Sequence, residues 1–107
     1  MSACLITVTV ADAAEAERIG RTLVAERLAA AANVLPGLRS FYWWQGELRT
    51  GAEALLVLKT RTDLADGAVA RLTALHSYIC PGVVVVPIAG GNPAYLDWIS
   101  AETQPPS

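Results

Sequence analysis

Phe41-Tyr42-Trp43-Trp44 sets four aromatics in a row, in a chain that holds three Trp, three Tyr and one Phe in all. Gln45-Gly46-Glu47 follows and has the chemistry of a hairpin turn. A strand sends successive side chains to opposite faces, so this one is aromatic on both. Each ring carries roughly 150–250 Å² of surface. At about 25 cal/mol per Å², burying all four is worth on the order of 10–20 kcal/mol as an upper bound. Left in water, the same patch invites aggregation. Whatever fold the chain adopts has to cover both faces of this arm.

The surrounding pattern limits that fold. Leu5 to Val10 is β-branched and alternating and reads as a strand. Asp12 is placed to cap a helix spanning Ala13 to Ala32, with Ala16, Ile19, Leu23 and Ala30 on its apolar face and Glu15, Arg18, Thr22 and Ala29 away from it. Arg27 falls inside that stripe; a bend freeing it and a carboxylate at the edge are both open. A second strand starts at Asn33-Val34-Leu35-Pro36-Gly37-Leu38 and runs through Trp44, and its return partner ends at Glu53 to Arg61. Thr62 or Asp63 is expected to cap a second helix with Leu64, Ala68, Leu72 and Leu75 as its stripe. Gly82 to Ile88 is a fourth strand. Asn92 as cap and Pro93 at the first helical position open a short helix through Trp98.

The order is β-α-β-β-α-β plus a small helix, the ferredoxin-like split arrangement. The expectation is an α+β protein with one antiparallel sheet and its helices on one face. Residues 1–102 form a single domain and 103–107 a frayed tail. An antiparallel sheet with one wet face should alternate apolar and polar residues. Here Ala54-Leu55-Leu56-Val57-Leu58 and Val83-Val84-Val85-Val86 are apolar on both faces. Nothing left in the chain is large enough to cover the second face. The inference is a closed oligomer packed sheet against sheet, with Phe41, Tyr42, Trp43 and Trp44 in the interface; the alternative is a monomer whose final helix folds under the sheet.

Composition excludes several classes. With 8 Lys+Arg against 10 Asp+Glu, the net charge is −2 and no basic cluster is present, which argues against nucleic acid. The run Val83 to Ala89 is far short of the ~20 residues of a membrane span, and Pro87 interrupts it. The first dozen residues lack a basic n-region and a long apolar h-region, so a cytoplasmic location is expected. Cys4 starts the first strand and Cys80 precedes the fourth, which puts them about 20 Å apart; free thiols are expected.

Candidate chemistry is sparse. His76 is the one histidine, with Cys80 four residues on. On a continuous helix the two would share a face, as metal ligands can. The alternative is a helix-ending His near the terminal carbonyls and a small hydrophobic Cys. Glu53, entering an apolar strand, is either an edge charge or a cleft carboxylate. Lys59 carries the same ambiguity and is a candidate cross-subunit partner for Glu53. Gly90-Gly91-Asn92 reads as a turn with an N-cap, without the Lys and Ser/Thr of a phosphate loop. No nucleophile motif accompanies the one histidine, so an enzyme is not expected.

The chain resembles the CutA family, the divalent-cation tolerance proteins. The resemblance is carried by Ala25 to Gly37 (AERLAAAANVLPG), Tyr42-x-Trp44-x-Gly46, Glu53 ahead of Lys59-Thr60, His76-x-Tyr78-x-x-Pro81, Pro87, and Gly91 to Trp98 (GNPAYLDW). It implies a ferredoxin-like fold, a homotrimer, and kinship with PII-like signal proteins. It implies a role in tolerance of copper and other divalent metals, with Cu(II) or another divalent cation as the ligand. It also implies no settled enzymatic activity. Val8 stands where copper-binding members have Cys, and Leu75 where they have a second His. Ser77 and Gly82 replace the usual Pro and Glu of the His-Pro-Tyr-x-x-Pro-Glu run. Of the implied ligands only His76 is present, with Cys80 a local substitute. The alternative it leaves is a signalling or scaffold trimer taking a small molecule or partner protein in clefts lined by Glu53, Lys59 and Trp44.

Overall fold

All four strands read from the sequence join one sheet. In the computed structural model, which describes residues 2–103, the strands are β1 (Ala3–Val10), β2 (Ala31–Trp44), β3 (Glu47–Arg61) and β4 (Val83–Pro87). The helices are α1 (Ala13–Ala25), α2 (Ala65–Leu75) and α3 (Pro93–Glu102), with a single 3-10 turn at Thr62–Leu64. The sheet order is β2-β3-β1-β4 and every pairing is antiparallel. That is the ferredoxin-like topology expected from the element order. Among the described residues no helix is long and apolar enough to cross a membrane.

Alternation along β3 decides which face is the core. Ala54, Leu56, Leu58 and Thr60 are buried, while Leu55, Val57 and Lys59 between them are only partly covered. Ile6, Val8 and Val10 of β1 join the buried side, against Ala16, Ile19 and Leu23 of α1 and Ala65, Ala68 and Leu72 of α2. Fully burying one such Leu or Ile is worth roughly 1.5–3 kcal/mol. Gly20 lies in this seam: a Cβ there would stand 3.0 Å from both Ala32 Cβ and Leu56 Cδ1.

α1 is shorter than its pattern suggests. Asp12 caps it as expected, its Oδ1 accepting from the Glu15 amide at 2.8 Å. The helix ends at Ala25, because the Ala30 amide donates to the Lys59 carbonyl at 2.8 Å and pulls the chain into the sheet. Arg27 takes a left-handed φ of 64° at this exit, and its guanidinium reaches Glu102 Oε2 at 2.8 Å. Both of its open alternatives are thereby met: the helix is over, and a carboxylate receives the head. Glu15, expected to face water, is buried. Asp63 does not cap α2; it pairs with Arg61, which holds its carboxyl below the usual range and away from the helix.

β2 is a sheet edge, which explains how it tolerates Pro36. The pairing slips by one residue between Leu35 and Leu38, a bulge at Pro36-Gly37 with Gly37 at φ 75°. Beyond it, Leu38–Trp44 and Glu47–Glu53 pair only with each other, an arm that leaves the four-stranded sheet and helps stretch the molecule to 46 × 26 × 22 Å. Gln45 (φ 52°) and Gly46 (φ 79°) close it in a two-residue turn of the kind that suits strand twist.

The expectation that all helices lie on one face needs correcting. α1 and α2 do, but α3 packs Ile99 with Ala3 and Ala30 in a separate cluster. Ala3 alternates with Cys4, so α3 covers one end of the opposite face. The rest of that face stays half-exposed, with Val84 at 57% and Val86 at 43%. Thr103, assigned to the tail from the sequence, is fully buried and its hydroxyl donates to the Ile99 carbonyl at 2.7 Å. Residues 104–107 of the tail lie outside the described residues.

Candidate ligand cleft

The segment joining α2 to β4 crosses the end of the sheet where the hairpin arm departs. Pro81 ends any helical continuation, and residues 76–82 are held in place by three side-chain contacts to different elements. His76, at the C-cap of α2, has its ring wholly out of solvent. Its Nδ1 accepts from the Tyr78 amide at 3.0 Å, which leaves the ring proton on Nε2, 2.9 Å from the Thr9 carbonyl. Glu15 accepts from the Ser77 amide at 2.9 Å and the Ser77 hydroxyl at 2.8 Å. Tyr78 donates its phenol hydrogen to Glu53 Oε2 at 2.8 Å.

Electrostatics follow from these contacts. Burial alone would raise the Glu15 carboxyl. The hydrogen bonds from Ser77 and Ala11, with His76 nearby, outweigh it and hold the carboxyl below its ordinary value. The Tyr78 phenol is pushed well above its ordinary value, first by burial and then by the Glu53 carboxylate it serves.

Between this segment and the arm lies a cleft of about 790 Å³, within the size range of small-molecule sites. Glu53 and Trp44 line it, and so does Cys80, which is exposed and unpaired. Arg39, Tyr42, Arg49 and Tyr78 complete its polar and aromatic wall. Lys59 does not belong to it. Six residues along β3 is about 20 Å, and the Lys59 ammonium instead sits 5.4 Å above the Tyr95 ring on α3. Cys4 is buried opposite Pro87, at the far end of β4 from Cys80, and both thiols are free.

The metal-ligand reading of His76 meets a geometric obstacle. Both ring nitrogens are engaged inside the chain, so an ion at either has to displace Tyr78 or Thr9. Among the described residues, no three His, Cys, Asp or Glu side chains cluster as a metal site would require. The residues of one chain therefore do not fit a resident metal ion. Asn92 behaves as an ordinary N-cap, its Oδ1 accepting from the Ala94 amide at 3.1 Å.

Sequence reasoning missed Glu15, Arg39 and Arg49. Arg49 was recoverable: with the turn placed at Gln45-Gly46 it falls opposite Tyr42 and shares that face with Trp44, whereas Arg39 falls opposite Ala52 on the face of Phe41 and Trp43. Glu15 carried no such signal, because its burial depends on where residues 76–82 land.

A ferredoxin-like α+β domain with a projecting hairpin arm and a cleft at its root defines the class of protein. The chain belongs to the family described as CutA1 divalent ion tolerance protein, whose model matches residues 4–102. It is 44% identical over 99 residues to the divalent-cation tolerance protein CutA of Thermus thermophilus, covering 92% of this chain and 96% of that protein. It is 40% identical over 100 residues to the chloroplastic CutA 1 of Oryza sativa, covering 94% of this chain but 56% of the rice protein. The crystal structure of CutA from Xylella fastidiosa superimposes with a TM-score of 0.93 at 42% identity, over 97% of this chain and 100% of that one.

Proposed function

We propose that this protein serves tolerance of divalent cations as a homotrimer, with the cleft at the root of the arm as its ligand site. The relatives' names supply the first part. The arm carries the second. Phe41, Trp43 and Leu48 share one face of a two-stranded ribbon and stand 71%, 72% and 65% exposed. A lone ribbon is marginal in water, and an apolar patch of this kind marks an interface. Another copy of the same chain covers it, and Tyr42 and Trp44 on the other face lie beside the cleft. Three copies is the number implied by the family resemblance, and a cyclic arrangement closes on itself. Sedimentation equilibrium tests this: a mass near three times 11.3 kDa is expected, and a single-chain mass overturns the trimer.

Cu(II) or another divalent cation is the ligand the relatives' names suggest. Cation donors facing the cleft are Glu53 and Cys80, with the His76 nitrogens turned away. Calorimetric titration with Cu(II) should give weak binding of equal strength in wild type and His76→Ala. Tight binding abolished in that variant would reinstate His76 as a ligand. A second reading, a PII-like signalling or scaffold trimer taking a small molecule in its clefts, is favoured by Arg49, which lines the cleft without a carboxylate partner among the described residues. No catalytic role is proposed. The cytoplasmic placement rests on the sequence; relatives are named chloroplastic in rice and periplasmic in Archaeoglobus fulgidus.

A further inference from the structure

Arg18, Arg27, Arg61 and Arg71 each have a carboxylate partner. Arg21 and Arg39 have none among the described residues, but both are exposed and water solvates them. Arg49 differs from both. It is partly buried, and its Nε is desolvated with no hydrogen-bond partner among the described residues. A buried N–H of a charged group left unmade is unfavourable, so this one calls for an acceptor.

Strand register restricts where that acceptor stands. Arg49 lies opposite Tyr42 and shares its face of the arm with Trp44, Glu47 and Glu53. Neither carboxylate comes within ion-pair distance of it. The same alternation carries Leu55, Val57 and Lys59, so this arm face continues the open face of the sheet. Among the described residues, α3 is the helix that packs on that face. Its Glu102 is held by Arg27, whereas its Asp97 is exposed with no cation within ion-pair distance. Tyr95 and Trp98 flank Asp97 in the chain, stacked 5.5 Å apart and 40% and 41% exposed. Tyr42 and Trp44, on the face of Arg49, are 42% and 38% exposed. One patch is thus a cation among aromatics and the other an anion among aromatics. Within one chain they do not meet. Lys59, which stands over Tyr95, is ten residues from Arg49, about 33 Å along β3.

We infer that Arg49 donates to Asp97 of a neighbouring copy of this chain, with Tyr42 and Trp44 lying against Tyr95 and Trp98 of that copy. Two different patches meet, a head-to-tail contact of the kind that closes into a ring. The α3 helix of the neighbour then forms the outer wall of the cleft, which is incomplete in a single chain. This rests on the trimer reading and names a contact that makes it.

Charge reversal tests the pair, read by sedimentation equilibrium of each full-length protein in graded urea. Arg49→Asp and Asp97→Arg should each raise the dissociation constant of the assembly by about tenfold or more per contact, the scale of a close charge pair across an interface. The double variant, with the charges exchanged, should recover most of that loss. Singles that assemble like wild type overturn the pair, as does a double variant no better than either single, or a loss confined to one of the two positions. If a reversed variant fails to fold by circular dichroism, Arg49→Gln, Asp97→Asn and their combination replace the set. The combination should then weaken assembly no more than one change alone, and additive losses overturn the pair. Wild type at the 11.3 kDa single-chain mass overturns the trimer and the pair with it. An assembled wild type with unaffected variants overturns the pair and leaves the trimer standing.

Discussion

The Tyr78 phenol donates to Glu53 Oε2 across 2.8 Å, and this one bond ties the segment after α2 to the root of the hairpin arm. Tyr78 is neutral in the bond, and its folded-state pKa lies above the ordinary value of 10.0. A group with a raised folded pKa contributes stability that is fully present below its unfolded pKa and is lost as pH climbs through the folded one. The native protein should therefore lose stability above about pH 10, and Tyr78→Phe should flatten that loss while lowering stability near neutrality by about 1 kcal/mol. Urea unfolding at stepped alkaline pH, with ultraviolet titration of the phenols, checks both parts.

Glu15 works in the opposite direction. Its folded pKa is depressed, so its contribution is present above the unfolded carboxylate value and disappears as pH falls through the folded one. Glu15→Gln should lower stability by about 2 kcal/mol at pH 7, because the amide cannot accept from Ser77 and Ala11 as a carboxylate does. Its stability should fall less steeply than that of wild type below about pH 4. Identical acid profiles would show that the carboxylate is not charged in the folded state.

Phe41 and Trp43 are the exposed arm side chains that the proposed trimer covers. Replacing both with Ser should shift the sedimenting species toward the 11.3 kDa single chain. A double variant that remains fully assembled would place the contact elsewhere on the open face.

Gly20 is the tightest point of the α1–β3 seam. Gly20→Ala gains about 1 kcal/mol of helix propensity but inserts a methyl between Ala32 and Leu56 in a close-packed interior, where overpacking costs about 1–3 kcal/mol. A net loss of about 1 kcal/mol is expected in the urea midpoint; a gain would mean that the Leu56 side chain swings aside.

Elements with a strong local signal were legible. The β1 alternation, the Asn92-Pro93 cap and the Gln45-Gly46 turn are properties of neighbouring residues, and each appears where the pattern puts it. The end of α1 was not legible. Ala25 to Ala32 has high helix propensity and no breaker before Pro36, yet the bond from Ala30 to Lys59 moves it into the sheet. Asp63 was read as a cap because its spacing allows one, and Arg61 outcompetes the helix for it.

The sequence by itself determined the order of elements, the sheet topology and the large apolar area of the aromatic arm. These depend on periodicity and on apolar area, which are additive along the chain. Only the tertiary structure decided which charged groups have partners. It buried Glu15 under Ser77, committed both nitrogens of His76, separated Lys59 from Glu53 within the chain and set Arg49 at the cleft without a carboxylate partner among the described residues. Hydrogen bonds and ion pairs act over a few ångströms between residues far apart in the chain, so their pairing is fixed by packing and not by local pattern.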